Sequence, residues 1–485
     1  MSAMSVTASA SATGRGQTSK PAIAASMLGV FICLLDTNIV NVALPDIQRS
    51  LGGGLSDSQW IVSLYVLALA ALIVPAGILG DLHDIRLLFG AGALVFGAGS
   101  LVCALAGNGW SNAVGVIFVG RVVQGVGAAL TLPLSLAMIF VYAVPGATVK
   151  LIALWSAISG LSTAVGPLVG GLVVQHLGWK WIFLLNLPIV AVEVVLLVRT
   201  PAPAVQRRDR IPHLASTGAF AAATFALTLA VIQGPSWGWG STTVIAMFVL
   251  SVVLGATFVV LESRSSRPLV PTSLRREREF RSSLLTGFAT GLSAFSLFFF
   301  LSYYLQYGAG LGPTATGLRF LPMSAMLVLF AGAGRKVSAR LGLSNTIGVG
   351  MLICSAGLAL LWVTLNHQHP STLSTVLPTM VIGVGVGLSF PATSAQAFAH
   401  SSGSDYGTAA SVLTMTRQLG NSIGIGVLGL IMTHYAGHGL NPGGVREGLR
   451  WIGLASAALA ALAGVFNLLT GKRRPVASSS EGQSR

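Results

Sequence analysis

The sequence predicts an all-α polytopic membrane protein, and three observations carry that expectation. The chain has 485 residues, of which 53% are hydrophobic and only 8% charged, whereas an average soluble domain is roughly 25% charged. Its mean hydropathy of +0.79 leaves too little polar surface for a water-soluble fold of this size. Its apolar runs reach about 20 residues or more, the length a helix needs to cross a bilayer with every backbone group satisfied internally. A membrane β-barrel would show weak alternating segments of about ten residues instead.

Windows of about 19 residues give fourteen spans, near 22–44, 58–80, 87–107, 112–139, 148–176, 181–199, 213–233, 241–262, 282–306, 315–335, 343–365, 374–398, 407–434 and 449–470. Orientation follows from where lysine and arginine fall between spans. With the N-terminus inside, about 21 of the 28 basic residues are cytoplasmic, including Arg86, Lys150, Arg207, Arg208, Arg210, the run Arg264 to Arg281, Arg335, Lys336 and Arg340. Only Arg49, Lys180, Arg319, Arg446 and Arg450 are then outside. That bias places both termini in the cytoplasm and requires an even number of spans.

Two charged, proline-containing linkers, 200–212 and 263–281, divide the chain. The expected organisation is a disordered cytoplasmic tail (1–21), an N-terminal six-helix bundle (22–200), an inserted helix pair with flanking linkers (201–280), a C-terminal six-helix bundle (281–470) and a second cytoplasmic tail (471–485). Paired six-span halves are a known transporter plan, with the substrate site between them near the midplane. The Arg-rich second linker suits a solvated loop, with contact to anionic lipid headgroups as the alternative.

Several function classes are excluded. The net charge of +15 sits in short loops and termini rather than on one basic face, so no nucleic-acid partner is expected. Cys33, Cys103 and Cys354 all lie in apolar stretches, which argues against a disulfide framework or a cysteine metal site. His367, His369, His434 and His438 lack helical metal-ligand spacing. Residues 1–20 have no apolar core and do not form a signal peptide. No GxxxxGK[ST] loop is present, so ATP is not implied and no cofactor is expected. No cluster of catalytic side chains marks an enzyme.

Asp36 and Arg121 are lone charges inside long apolar stretches. A charge near the midplane costs roughly 2.5–3.5 kcal/mol on insertion scales, and chains that keep one usually pair it and use it to move an ion, proton or substrate. At about 1.5 Å per residue, both fall in the middle to outer half of a core about 30 Å thick. Their depths suit a shared cavity in which a carboxylate beside a fixed guanidinium binds and releases a proton. Gln124, three residues on, shares the Arg121 face and has either Arg121 or a ligand as partner. Gly125 and Gly127 suit close helix approach. Glu193, in the sixth span, is a candidate second proton-coupling acid.

Further polar residues in spans are candidates for a substrate cavity: Asn38, Asn41, Gln396, Arg417 and Gln418. The aromatic run 295–307, with Tyr303, Tyr304 and Gln306, offers a wall for flat or cationic compounds, or an aromatic belt at the outer interface. In the fifth span, Gly166, Pro167, Gly170 and Gly171 provide a bend and a side-chain-free face.

Taken in order, these segments resemble the major facilitator superfamily, and within it the fourteen-span drug:proton antiporters. LLDTNIVNVALP (34–45) resembles that family's first-span motif, and GILGDLHDIR (77–86), from Gly77 to Arg86, its motif between spans two and three. RVVQGVGAA (121–129) resembles the fourth-span motif, AVGPLVGG (164–171) the fifth-span antiporter motif, and GWKWIFLLNLP (178–188) the stretch after it. VIQGPSWGW (231–239) is similar to the turn of the inserted pair, and TRQLGNSIGIGVLG (416–429) to the thirteenth span. The resemblance implies that Asp36 couples protons, that Arg121 tunes proton affinity and that Gly166–Gly171 serves export. It implies that Asp81 caps a helix of the opposite half and holds the cytoplasmic gate.

The chain also departs from the pattern. Leu82 and Asp84 interrupt the usual loop motif, which puts the gate latch in question, and Gln233 stands where an acid is common. The expected function is proton-coupled export of small hydrophobic or amphipathic compounds across a bacterial inner membrane, with protons and membrane lipids as further partners and a monomer expected. Export of an endogenous antibiotic or lipid is the alternative, followed by a nutrient:proton symporter or a membrane receptor.

Overall fold

A computed structural model describes residues 18–51, 55–107, 112–144, 146–203, 214–265, 268–366, 371–399, 401, 405–436 and 441–471. All regular structure among them is helical. In chain order the elements are α1 (Lys20–Leu51), α2 (Leu55–Leu82), α3 (Ile85–Leu105), α4 (Ala113–Tyr142), α5 (Thr148–Leu177), α6 (Lys180–Leu184), α7 (Asn186–Val198), α8 (Leu214–Trp237) and α9 (Thr242–Arg264). They continue with α10 (Thr272–Arg276), α11 (Arg278–Thr290), α12 (Ser296–Tyr303), α13 (Pro313–Leu341), α14 (Leu343–Thr364), α15 (Leu373–Ala397), α16 (Tyr406–Ala436) and α17 (Pro442–Gly471). Single π-helical turns, Gly291–Phe295 and Tyr304–Gly308, run α11 into α12 and continue it.

Thirteen helical stretches among the described residues are long and apolar enough to cross a bilayer. Every predicted span coincides with a helix, but the fifth, α5, contributes two shorter apolar pieces, Lys150–Ser162 and Leu168–Leu177, rather than one qualifying span. The chain is therefore a multi-pass membrane protein.

Local chemistry sets the helix ends. Asp84 accepts the Arg86 amide at 3.0 Å to cap α3, and Asn112 accepts the Gly115 amide at 2.9 Å to cap α4. Gly178 and Gly342, at φ of 90° and 80°, end α5 and α13 in a conformation that side chains disfavour. Within the spans, hydroxyls bond back to their own helix, as Thr37 does to the Cys33 carbonyl at 2.9 Å. That satisfies a buried polar group without a partner helix.

Helices α1 to α7 pack on one another, and so do α11 to α17. The two sets meet along α5 against α13 and α2 against α16. The pair α8 and α9 pack together, and α8 lies against both α2 and α16, across the seam. Gly125 and Gly127 serve packing, as expected. A Cβ at Gly125 would lie 2.6 Å from the Tyr65 carbonyl, and one at Gly127 would lie 2.4 Å from the Phe96 amide.

The second linker corrects the sequence reading. Residues 263–281 are not a simple solvated loop, because α10 and the start of α11 form there and Leu269 and Leu274 are buried in the apolar core. Glu262 holds the turn by accepting the Val270 amide at 3.1 Å. The first linker, 200–212, lies mostly outside the described residues, from 204 onward.

Candidate proton and substrate site

Asp36, from the middle of α1, is fully buried among α2, α3, α4 and α7. Its Oδ2 accepts from Arg121 Nη1 at 2.6 Å. Its Oδ1 accepts from Gln124 Nε2 at 3.0 Å and from Asn186 Nδ2 at 3.1 Å. The expected shared cavity is thus a direct ion pair in the interior of the first helix set. Sequence depth alone could not show this, because it fixes height and not facing.

The surrounding shell is closed. Arg121 Nε donates to the Ile61 carbonyl at 2.9 Å and Nη1 also donates to Gln124 Oε1 at 2.8 Å. The guanidinium lies 4.4 Å over the Tyr65 ring, whose hydroxyl donates to the Cys33 carbonyl at 3.2 Å. Ser100 Oγ accepts from both Gln124, at 2.8 Å, and Asn186, at 3.0 Å. Five helices therefore contribute to one polar network, and Gln124 bonds Arg121, Asp36 and Ser100 together. A buried ion pair is tolerable when its remaining hydrogen-bonding positions are filled, as they are around Asp36. Sequence reasoning missed Ser100, Tyr65 and Asn186. Only Asn186 left a readable signal, as a lone amide in the apolar stretch 178–188.

A second polar position lies two helical turns away, about 10 Å by helical rise. Seven residues separate Asn186 from Glu193 on α7, Asp36 from Gly29 on α1, and Gln124 from Thr131 on α4. At that level the Glu193 carboxylate approaches the missing Cβ of Gly29 to 2.8 Å, beside Phe89 and Thr131. Glu193 is fully buried, and neither carboxylate oxygen has a hydrogen-bond partner among the described residues. An ionised carboxylate without a partner is very unfavourable in an apolar interior.

At one end of the bundle α2 docks on the N-terminus of α16. Asp81 Oδ1 accepts the Gly407 amide at 2.6 Å, and Oδ2 accepts the Thr408 amide at 2.8 Å together with the Thr408 hydroxyl. A carboxylate at a helix N-terminus fills orphan donors and meets the positive end of the helix dipole. The interrupted loop motif does not prevent this contact between α2 and α16. Arg86 instead binds Asp84 at 3.3 Å and the Thr200 carbonyl at 2.7 Å, tying the start of α3 to the chain after α7. Beside the latch, the Phe140 ring stacks on Phe398 at 3.8 Å and meets Tyr406 at 5.3 Å, sealing α4 against the second helix set.

The remaining predicted residues fall in different places. Asn38 bonds back to the Leu34 carbonyl at 2.7 Å, and a Cβ at Gly166 would meet its Cβ at 2.7 Å. Gly170 faces Ile39 in the same way, so the glycine face of α5 receives α1. Gly171 shares that helix, and the Pro167 side chain lies outside the described residues. Asn41 is exposed and among the described residues bonds only to the Thr37 carbonyl, at 3.1 Å, so it does not join the Asp36 network. Tyr304 is core, against Gly308 and Val445, rather than an open wall. Gln306 bonds Ser302 at 3.1 Å, Tyr303 is half-buried, and Phe299 is the strongly exposed ring of this run. Gln396 is buried with no partner for its Oε1 among the described residues, whereas Gln418 is half-buried on α16. Arg417 donates from Nη2 to Ser394 Oγ at 2.9 Å and stacks 3.9 Å over the Phe390 ring. Among the described residues no group of three or more metal-ligating side chains exists.

This architecture, two helix sets meeting along a seam with a charged network inside the first, has a family match. The family described as Major Facilitator Superfamily matches residues 26–425. The chain belongs to the major facilitator superfamily. Its members are membrane transporters and not enzymes. The tetracenomycin C resistance and export protein of Streptomyces glaucescens is 32% identical over 420 residues, covering 86% of this chain and 76% of that protein. The methylenomycin A resistance protein of Bacillus subtilis is 31% identical over 421 residues, covering 85% and 88%. The multidrug resistance protein Stp of Mycobacterium tuberculosis is 33% identical over 420 residues, covering 86% and 76%. Among solved structures, the human organic anion transporter MFSD10 shares the superfamily fold with a TM-score of 0.64 at 14% identity, covering 91% of this chain and 99% of that one.

Proposed function

We propose that this transporter exports small hydrophobic or amphipathic compounds, drugs and antibiotics among them, in exchange for protons by alternating access. It acts in a bacterial plasma membrane with both termini in the cytoplasm. The observation that carries the reading is the buried Asp36–Arg121 pair with both carboxylate oxygens occupied. Protonating Asp36 removes the charge that holds Arg121, Gln124 and Asn186, and so loosens α1 from α4 and α7. Arg121 is also fixed to α2 through Ile61 and Tyr65, while Asp81 sits near the far end of the same helix. Helix α2 thus runs continuously from the proton site to the latch, with Pro75 between them.

In the conformation described, the latch end is shut. The basic residues flanking that end support a cytoplasmic position for it by the positive-inside rule. Proton entry from outside and release inside then drives opening of the latch and outward movement of substrate. Each charge moved is worth about 2.3 kcal/mol per 100 mV. Counting α5 as a crossing makes fourteen spans, in keeping with both termini on one side. The names of the relatives, resistance and export proteins for antibiotics, support export rather than uptake. Self-resistance to one antibiotic and general multidrug export share this mechanism.

The test is uphill transport in proteoliposomes under an imposed pH gradient, with ethidium and puromycin as probes. Wild type is expected to concentrate at least one of them against its gradient and to move protons the opposite way. Proton-coupled accumulation that persists in Asp36→Asn would sink the assignment.

A further inference from the structure

Among the described residues Arg417 has no counter-charge. It is buried to 4% exposure in α16, and neither Nε nor Nη1 finds an acceptor among the described residues. Its polar contacts are neutral: Ser394 Oγ at 2.9 Å and the Phe390 carbonyl at 3.4 Å, both from Nη2. Five N–H bonds make guanidinium an obligate donor, so three of them have no acceptor among the described residues. The first helix set neutralises Arg121 with Asp36, whereas the second set leaves its buried cation open.

The position of Arg417 on its helix shows where it faces. Gly407 and Ser411 lie against Gly77 of α2, across the seam. Gly420 and Gly424 lie against Phe288 and Leu292 of α11, within the second set. At about 100° per residue, Arg417 falls between those two stripes, nearer the α11 one, and its side chain passes Gly287 of α11 to reach Phe390 of α15. There Phe390 lies beneath the guanidinium, and Trp155 of α5 lies parallel to Phe390 at 6.0 Å and 6°. Phe295, in the first π-helical turn, closes on Phe390 edge-on at 5.6 Å. One ring thus comes from the first helix set and two from the second, so the movement that parts the sets also parts the aromatic stack. π-helical turns of this kind are frequent at functional sites.

We propose that Arg417, with Phe390, Trp155 and Phe295, is a subsite for the acidic group of a planar aromatic substrate. The anion occupies the open N–H groups of Arg417, and the aromatic plane enters the stack as Trp155 and Phe390 separate. This rests on the reading that the seam carries substrate, and it adds the chemical class: aromatic acids, in preference to their neutral isosteres. A guanidinium recognises carboxylate or phosphate through charge-assisted bonds that a neutral amide does not replace.

The test is equilibrium binding to the full-length purified protein without any proton gradient, using tritiated 1-naphthylacetate and the neutral isostere 1-naphthylacetamide. Wild type should bind the acid at least tenfold more tightly than the amide. Arg417→Gln should abolish that preference while amide affinity stays within about twofold, and Arg417→Lys should retain at least a threefold preference. Equal affinities in the wild type, no binding of the acid, or an intact preference in Arg417→Gln would overturn the proposal. If Arg417→Gln does not fold, the wild-type ratio and Arg417→Lys decide the matter. Displacement of the acid by short-chain phosphatidylglycerol at equal concentration would assign the site to a lipid headgroup and overturn a substrate role. Because no gradient is present, loss of proton coupling in transport leaves this result unaffected, so the two readings fail separately.

Discussion

Arg121 on α4 places its Nη1 2.6 Å from Oδ2 of Asp36 on α1, a contact that bridges 85 positions in sequence and lies out of reach of solvent. Breaking a buried pair by removing one partner strands the other charge, at a typical cost of 3–5 kcal/mol. Asp36→Asn and Arg121→Gln should each lower the thermal midpoint of the purified protein substantially. The double variant should be less destabilised than the two losses combined, because neither charge is then stranded. Additive losses in that cycle would show that the pair is not energetically coupled.

Glu193 is expected to behave in the opposite way. It has no hydrogen bond to lose among the described residues, so Glu193→Gln should keep the stability of wild type to within about 1 kcal/mol. Its effect should appear instead in the number of protons moved per substrate, measured by parallel pH and substrate fluxes in proteoliposomes. A strongly destabilised Glu193→Gln, or an unaltered proton count, would remove Glu193 from the coupling.

The latch yields a conformational prediction. Asp81→Ala removes the acceptor for the Gly407 and Thr408 amides at the head of α16. Closure of that end should weaken, and cysteines placed at 140 and 398 should label faster with a thiol reagent from the side where Arg86 lies. Labelling as slow as in the same double-cysteine protein with Asp81 intact would leave the latch without a role in closure.

Steric contact at the same seam can be used to hold it open. A Cβ at Gly77 would lie 2.2 Å from Ser411 Oγ and 2.4 Å from the Gly407 carbonyl. Gly77→Val should therefore prevent docking of α2 on α16, abolishing transport while the protein still inserts and remains monodisperse. Normal ethidium export by Gly77→Val would show that closure does not need this approach.

Much of the fold was legible because lipid imposes a simple rule: apolar stretches of sufficient length become helices, and all fourteen predicted stretches coincide with helices. The fifth was the least regular, since its glycines and Gly-Pro step dilute hydropathy and serve contact with α1. The linker 263–281 was misread because its charges outweighed Leu269 and Leu274 in the pattern, although those two leucines are buried. Asp36, Arg121 and Glu193 stood out as charges in apolar runs. Ser100 and Tyr65 did not, since serine and tyrosine are unexceptional in a membrane helix until neighbours converge on them.

The sequence by itself determined that this chain crosses a membrane many times, and which charges must be sheltered inside it, because hydropathy and desolvation act residue by residue. Tertiary structure alone decided that Asp36 meets Arg121, and that among the described residues Glu193 meets no donor and Arg417 lies between α11 and α15 without an anion. Those outcomes depend on which helix faces turn toward one another, and the rotation of a helix about its axis is set by its neighbours rather than by its own composition.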